Sequence, residues 1–327
     1  MRDRPGPRAR APAGGRLSRE VAAQPLEARG ITHPGARVPD RTRSVDAGGL
    51  ALAVHEWGDA DAPPLLLAHG GFDFARTFDV FAPRLAAGGW RVVSWDQRGH
   101  GESEHAALYN WDADARDALA VLDSTTREPC PFVGHSKGGS VLLHLADACP
   151  HRVTRLVNID GMPSRSRHPD VAAHERTRLL ADDLAGWLDH RRRAAGLVRK
   201  PGTLDELARR RGRMNPRLSH DWLRYLASVG ARRDEDGWRW KIDPALRFGG
   251  FGPWRPEWTL QRLPGLSVPM LGFLASVSEP MGWDTTEEIL RSYLPPDAEI
   301  HTLADTGHFI HIERPDEVAA RVLRFLA

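Results

Sequence analysis

The stretch Pro131-Phe132-Val133-Gly134-His135-Ser136-Lys137-Gly138-Gly139 constrains this chain more than any other. An apolar run enters a Gly-x-Ser-x-Gly turn, and a helix-like stretch from Ser140 to Ala148 leaves it. A strand that bends this sharply into a helix holds its central residue in a strained backbone conformation, so the flanking residues must be small. Gly134 and Gly138 meet that need, because a Cβ at either would collide with the neighbouring strand or helix. Such a turn lifts the Ser136 hydroxyl to the top of a sheet. The helix after it aims free N–H groups at any negative charge that develops there. Five residues alone also suit a glycine-rich turn with a surface serine, so the rest of the chain has to decide.

A chain of 327 residues allows one large or two modest domains. Its net charge of +2 gives no reason to expect a nucleic-acid partner. No apolar run approaches the ~18 residues that span a membrane. Cys130 and Cys149 do not suggest a disulfide framework and read as reduced thiols, which points to a cytoplasmic protein. Residues 1–42 scatter arginine among Pro, Ala and Gly with little apolar periodicity. They read as a disordered basic arm that cannot offset its ordering entropy. No apolar stretch of secretion-signal length follows the basic start, so no signal peptide is expected.

From Arg43 the pattern becomes ordered. Arg43–Ala47 and Leu50–Trp57 flank Gly48-Gly49 as a hairpin would. Pro64–Ala68, Trp90–Trp95, Pro131–Gly134 and Val153–Ile159 are short apolar runs, as expected of strands covered on both faces. Helical spacing separates them at Phe74–Ala87 and Trp111–Ser124. Alternation of this kind implies a mostly parallel central sheet with helices on both faces. It stops after Asp160. Residues 163–265 show helical stretches and no buried strand, and the strand pattern resumes at Val268–Leu274. The expected organisation is therefore a core in two parts, 43–162 and 266–327, interrupted by a helical cap at 163–265.

Four stretches fall at the carboxyl ends of these strands, where ligands bind in open α/β sheets. They are His69-Gly70-Gly71-Phe72, Asp96-Gln97-Arg98-Gly99-His100-Gly101-Glu102-Ser103, the Ser136 turn, and Asp305-Thr306-Gly307-His308-Phe309. In this order the chain resembles the α/β-hydrolase family, in its capped, lipase-like or esterase-like branch. The resemblance covers roughly residues 43–327. It implies an α/β-hydrolase fold with Ser136 as nucleophile and His308 as general base. The oxyanion hole would be the backbone N–H of Lys137 with that of Gly71, Phe72 being the alternative. Asp96, Arg98 and His100 match a loop that is generally structural, and a structural role is also expected for the Lys137 side chain. His311 is expected on the surface of the following turn.

The resemblance puts the triad acid after the strand that follows the insert. There Ala275-Ser276-Val277-Ser278-Glu279 resembles the family's Gly-x-x-Ser-Asp, with Glu279 in the acid position and two departures from the pattern. The alternative acid is Asp160, at the end of the strand before the insert. The insert carries Trp187, Trp222, Trp238, Trp240, Trp254 and Trp258, which would line an apolar acyl or aryl site or form the cap's own core. Arg191-Arg192-Arg193 and Arg209-Arg210-Arg211 read as solvated helix faces. No His, Cys or carboxylate cluster has metal-ligand spacing, and no G-x-G-x-x-G follows a strand, so neither metal nor organic cofactor is expected. The resulting expectation is a serine hydrolase that cleaves a small, apolar carboxylic ester or related acyl compound through an acyl-enzyme. The same fold also hosts cofactor-free haloperoxidases, lyases and non-catalytic ligand receptors. An aspartate in place of Ser136 would have pointed to epoxide or haloalkane chemistry.

Overall fold

The computed structural model describes residues 30–163, 176–194, 196–246 and 256–327. The strands β1 (Arg41–Asp46) and β2 (Ala51–Trp57) form the expected hairpin. Then come β3 (Pro64–Ala68), helix α1 (Ala82–Ala87), β4 (Arg91–Trp95), α2 (Trp111–Thr125), β5 (Cys130–His135), α3 (Lys137–Ala148) and β6 (Val153–Ile159). The insert carries α4 (Arg176–Ala194), α5 (Leu204–Gly212), α6 (His220–Gly230), β7 (Ala231–Asp234), β8 (Gly237–Trp240) and α7 (Pro256–Arg262). The core resumes with β9 (Met270–Ala275), α8 (Glu287–Leu290), β10 (Glu299–Leu303), α9 (Ile310–Glu313) and α10 (Pro315–Leu326).

Eight strands make one sheet in the order β1-β2-β4-β3-β5-β6-β9-β10. Only the β1–β2 and β2–β4 pairs are antiparallel. The chain leaves β3 towards one side of the sheet, to β4, and leaves β5 towards the other, to β6. The carboxyl ends of β3 and β5 therefore border the switch point, where an open α/β sheet offers a crevice. Alternate residues of each inner strand enter different cores. Leu66, Val93, Phe132 and Leu156 pack on one face, and Leu65, Leu67, Val92, Val133 and Val157 on the other. This explains why the strands read as unbroken apolar runs. Among the described residues no helix is long and apolar enough to cross a membrane.

Local chemistry sets the helix starts. Asn110 caps α2 by accepting from the Ala113 N–H at 2.8 Å, with Asp112 and Asp114 in the first turn. Thr203 and Glu206 form a capping box on α5. The helix expected over Phe74–Ala87 is broken in two, a 3-10 turn at Ala75–Phe78 and then α1. Pro83 suits only the first turn of a helix, so a new one begins there.

Three expectations need correction. The ordered domain begins earlier than Arg43. Ile31 and Ala36 pack beside Leu218 and Trp222, His33 meets the Trp222 ring edge-on at 4.8 Å, and the Arg37 N–H donates to the Asp79 carbonyl at 2.8 Å. A short extended segment needs few apolar residues of its own when it covers an existing core. Residues 1–29 lie outside the described residues. The insert also holds a two-stranded sheet, β7 with β8, around the Asp236-Gly237 turn. Gly237 has φ +140°, which that turn needs. Finally, His311 is fully buried, among the Phe78, Phe81 and His135 rings.

Candidate active site

The Ser136 turn has the strained geometry that its sequence implies. Ser136 has φ +52° and ψ −125°, directly before the first residue of α3. Its N–H donates to the Ile159 carbonyl at 2.9 Å, the last rung between β5 and β6. A Cβ on Gly134 would lie 2.7 Å from the Gly138 backbone, and one on Gly138 would run into the Ala68 carbonyl. The helix thus crosses strands β3 and β5 at a distance only glycine permits.

The turn after β3 is held just as closely. His69 donates from Nδ1 to the Gly70 carbonyl at 2.7 Å, while its Nε2 accepts from the Gln97 N–H at 2.9 Å. Burial lowers the His69 pKa to about 4. Phe72 has φ +57°, unusual for an aromatic residue. Its N–H donates to His100 Nε2 at 3.1 Å, and His100 Nδ1 donates to the Arg98 carbonyl at 2.9 Å. That leaves the Phe72 N–H already engaged, which favours Gly71 over Phe72 as an oxyanion donor. A Cβ on Gly70 would lie 3.1 Å from that of Ser136, and one on Gly71 would lie 3.8 Å from that of Lys137. The two turns therefore face each other across the switch point.

The Lys137 side chain points away from this chemistry. Its Nζ pairs with the buried Asp114 carboxylate at 2.7 Å and sits 6.0 Å from the centre of the Trp111 ring. Asp96 and Arg98 are likewise engaged. Asp96 accepts from the Ala75 and Glu102 N–H groups at 2.7 and 2.8 Å, and Arg98 makes two 2.7 Å contacts with Asp117.

Two carboxylates converge on His308, and they bind different parts of it. His308 Nδ1 contacts Asp160 Oδ2 at 2.6 Å. The other Asp160 oxygen accepts from the Ala275 N–H at 3.1 Å. Glu279 Oε2 instead accepts from the His308 backbone N–H at 2.6 Å. In this geometry Asp160, not Glu279, is on the imidazole. The physical reason is the strand order. β6 lies between β5 and β9, so its carboxyl end is next to the Ser136 turn, while the segment after β9 is one strand further away. Asp160, at φ +45°, turns its side chain off the strand end towards His308. An ionised Asp160 can only accept, so the proton sits on Nδ1 and Nε2 presents a lone pair.

Residues that sequence reasoning did not single out complete the His308 loop. His135 donates from Nε2 to the His308 carbonyl at 2.9 Å, with the two rings 4.7 Å apart. Because His135 directly precedes Ser136, this bond ties the His308 loop to the Ser136 turn. Its place inside the turn motif was the available signal. Glu313 accepts from the Gly307 N–H at 2.8 Å. A Cβ on Gly307 would strike Glu279 Oε2 and lie 2.6 Å from Arg217 Cδ, so glycine is what lets the carboxylate approach.

The insert also reaches the site. Arg211, expected on a solvated face, is half-buried and donates from Nη1 to the Phe72 carbonyl at 2.6 Å. Trp187 packs with Tyr109, Ile242 and Leu246, against the partly buried Phe72 and Trp240. Trp222 belongs to a separate cluster with Phe74, Leu223 and Phe309. Trp238 is buried. Trp254 and the side chain of Trp258 lie outside the described residues. Among the described residues, no group of three or more His, Cys, Asp or Glu side chains is arranged to hold a metal ion.

A family model described as the alpha/beta hydrolase family matches residues 65–321. The chain belongs to the alpha/beta hydrolase family. Among curated members, sn-1-specific diacylglycerol lipase ABHD11 of Mus musculus is 28% identical over 287 residues, covering 83% of each chain. Epoxide hydrolase A of Mycobacterium tuberculosis is 28% identical over 313 residues, 87% of this chain and 96% of that protein. Among solved structures, a thioesterase domain from the curacin biosynthetic pathway superposes with a TM-score of 0.75 at 22% identity, covering 87% of this chain and 99% of that one. At that identity the superposition speaks for the fold. The chain is an enzyme of this family, a hydrolase.

Proposed function

We propose that this hydrolase cleaves a carboxylic ester or related acyl substrate through an acyl-enzyme on Ser136, with His308 as general base and Asp160 as the triad acid. The observation that carries the reading is the 2.6 Å contact between His308 Nδ1 and the buried Asp160 carboxylate, on a loop tied by His135 to the strained Ser136 turn. His308 Nε2 takes the Ser136 proton as the hydroxyl attacks the carbonyl. Asp160 stabilises the imidazolium that forms, and the proton then passes to the leaving alcohol. The N–H groups of Lys137 and Gly71 hold the tetrahedral oxyanion. Water, activated by the same histidine, releases the acid and restores Ser136.

The lipase name of the mouse relative agrees with an ester substrate. The epoxide hydrolase name of the other does not redirect the reading, because an alkyl-enzyme route needs a carboxylate nucleophile and position 136 is serine. The insert is proposed as a cap. Phe72, Trp187 and Trp240 share one apolar cluster beside the oxyanion turn, which suits an apolar acyl or aryl group.

A fluorophosphonate probe should label the wild-type protein. Ser136→Ala should abolish labelling and lower kcat by on the order of 10⁶ while leaving the melting temperature nearly unchanged. Undiminished turnover of short-chain nitrophenyl esters by the variant would end the serine-nucleophile reading. Binding of such esters without turnover by the wild type would favour a receptor.

A further inference from the structure

We infer that Arg211 is a positioning residue through which the insert holds the oxyanion turn in its working shape. The inference rests on the reading of Ser136 and the Gly71 N–H given above.

Arg211 lies in the last turn of α5, within an arginine run whose other members behave as a surface helix face would. Arg209 is exposed, and Arg210 turns back to the Lys200 and Pro201 carbonyls of its own insert. Arg211 alone goes inward, with 10% of its side chain exposed. Nη1 donates to the Phe72 carbonyl at 2.6 Å. Nη2 lies 3.7 Å from the buried Asp73 carboxylate, and the guanidinium stands 5.7 Å from the centre of the Phe309 ring, next to His308. One insert side chain thus touches the segment after Gly71 and the neighbour of the catalytic histidine.

Phe72 shows why such a contact matters. A non-glycine residue at φ +57° persists only where its surroundings hold it. Its two peptide groups are held by different parts of the molecule, the N–H by His100 from the core and the carbonyl by Arg211 from the insert. Without the second hold, the Phe72 backbone can relax towards an ordinary conformation. The Gly71-Phe72 turn then rotates, and the Gly71 N–H leaves the line to the developing oxyanion. Asp73 supplies the counter-charge that keeps a buried guanidinium in place. Burial pushes the Asp73 carboxyl up, with Arg211 acting in the opposite direction.

The test compares Arg211→Met, Arg211→Lys and the double variant Arg211→Met/Asp73→Asn, which removes both buried charges together. Each is measured for kcat, KM, melting temperature and inhibition by an alkyl boronic acid, which adds to the nucleophilic serine and mimics the tetrahedral state. Arg211→Met and the double variant should lose about 10- to 100-fold in kcat, with KM changed less than about threefold and boronate affinity falling in parallel with kcat. Arg211→Lys should recover part of the loss. If Arg211→Met fails to fold, the double variant carries the same expectation. Wild-type kcat and boronate affinity in the folded double variant would overturn the inference, as would a rise in KM alone. Fluorophosphonate labelling that depends on Ser136 separates the two levels: if it holds while Arg211 is silent, only the positioning role fails.

Discussion

The ends of β6 and β9 both present a carboxylate to His308, and they do different work. Asp160 meets the imidazole Nδ1, where charge appears in the proposed mechanism. Glu279 meets the backbone N–H, where none does. In that mechanism the first contact changes strength as the histidine gains a proton. The second is the same in every state and fixes where the loop sits. Proximity to the proposed general base is therefore a poor guide to role, and the atom contacted decides it.

The sharpest way to break this comparison is to make the same acid-to-amide change at both positions. Asp160→Asn should lower kcat by on the order of 10⁴ with little change in KM, because an amide facing Nδ1 can favour the wrong tautomer and cannot stabilise imidazolium. Near-normal kcat in that variant would return the acid to Glu279. At position 279 an amide oxygen still accepts from the His308 N–H, so Glu279→Gln should keep kcat within about tenfold. Glu279→Ala removes the acceptor and leaves a buried N–H unpaired. It should cost about 1–3 kcal/mol in denaturant unfolding, and Glu279→Gln should restore most of that. If Glu279→Gln is as inactive as Asp160→Asn, the distinction between ring and backbone collapses.

The smallest effect on rate is expected at His311, which is buried beside the site with no carboxylate partner among the described residues. Both of its ring nitrogens lack a hydrogen-bond partner among the described residues, and burial lowers its pKa to about 3. The unfolded chain binds a proton there near pH 6.5, while the folded protein binds it only near pH 3. The resulting stability is complete above about pH 6.5 and is lost progressively as the pH falls towards 3. His311→Leu should leave kcat at pH 8 unchanged and make stability fall less steeply over that range, by a few kcal/mol at most. An unaltered slope would mean that His311 is not the buried neutral group described.

The sheet, the serine turn and the place of His308 past the last strand were legible because each is written in local backbone terms. Gly134 and Gly138 announce a close crossing, apolar runs announce covered strands, and Gly307-His308 follows the last of them. Which carboxylate meets the His308 ring was not legible. Glu279 and Asp160 both stand at the expected kind of strand end, and choosing between them requires the lateral order of β5, β6 and β9, which depends on long-range pairing. Asp160-Gly161 did carry a trace of that contact, since a Cβ on Gly161 would run into the Ser136 carbonyl. Arg211 and His311 were misread for a related reason. A polar residue on a short amphipathic element looks exposed until the surface it docks on is known. The boundary at residue 42 failed because Ile31 and Ala36 are too few to form a pattern, although enough to cover Leu218 and Trp222.

The final rungs of the ladder carry a consequence for how such a protein changes over time. The Ser136 N–H ends on the Ile159 carbonyl, and the Asp160 N–H ends on the Phe273 carbonyl. The two residues are thus fixed to successive strands by main-chain atoms, which are the same whatever side chains the strands carry. Drift within the hydrophobic layers on either side of the sheet, if it preserves volume, can rewrite much of the buried sequence without moving Ser136 and Asp160 relative to each other. Divergence would then be freest where the strands are buried and most restricted at three or four residues just past their ends.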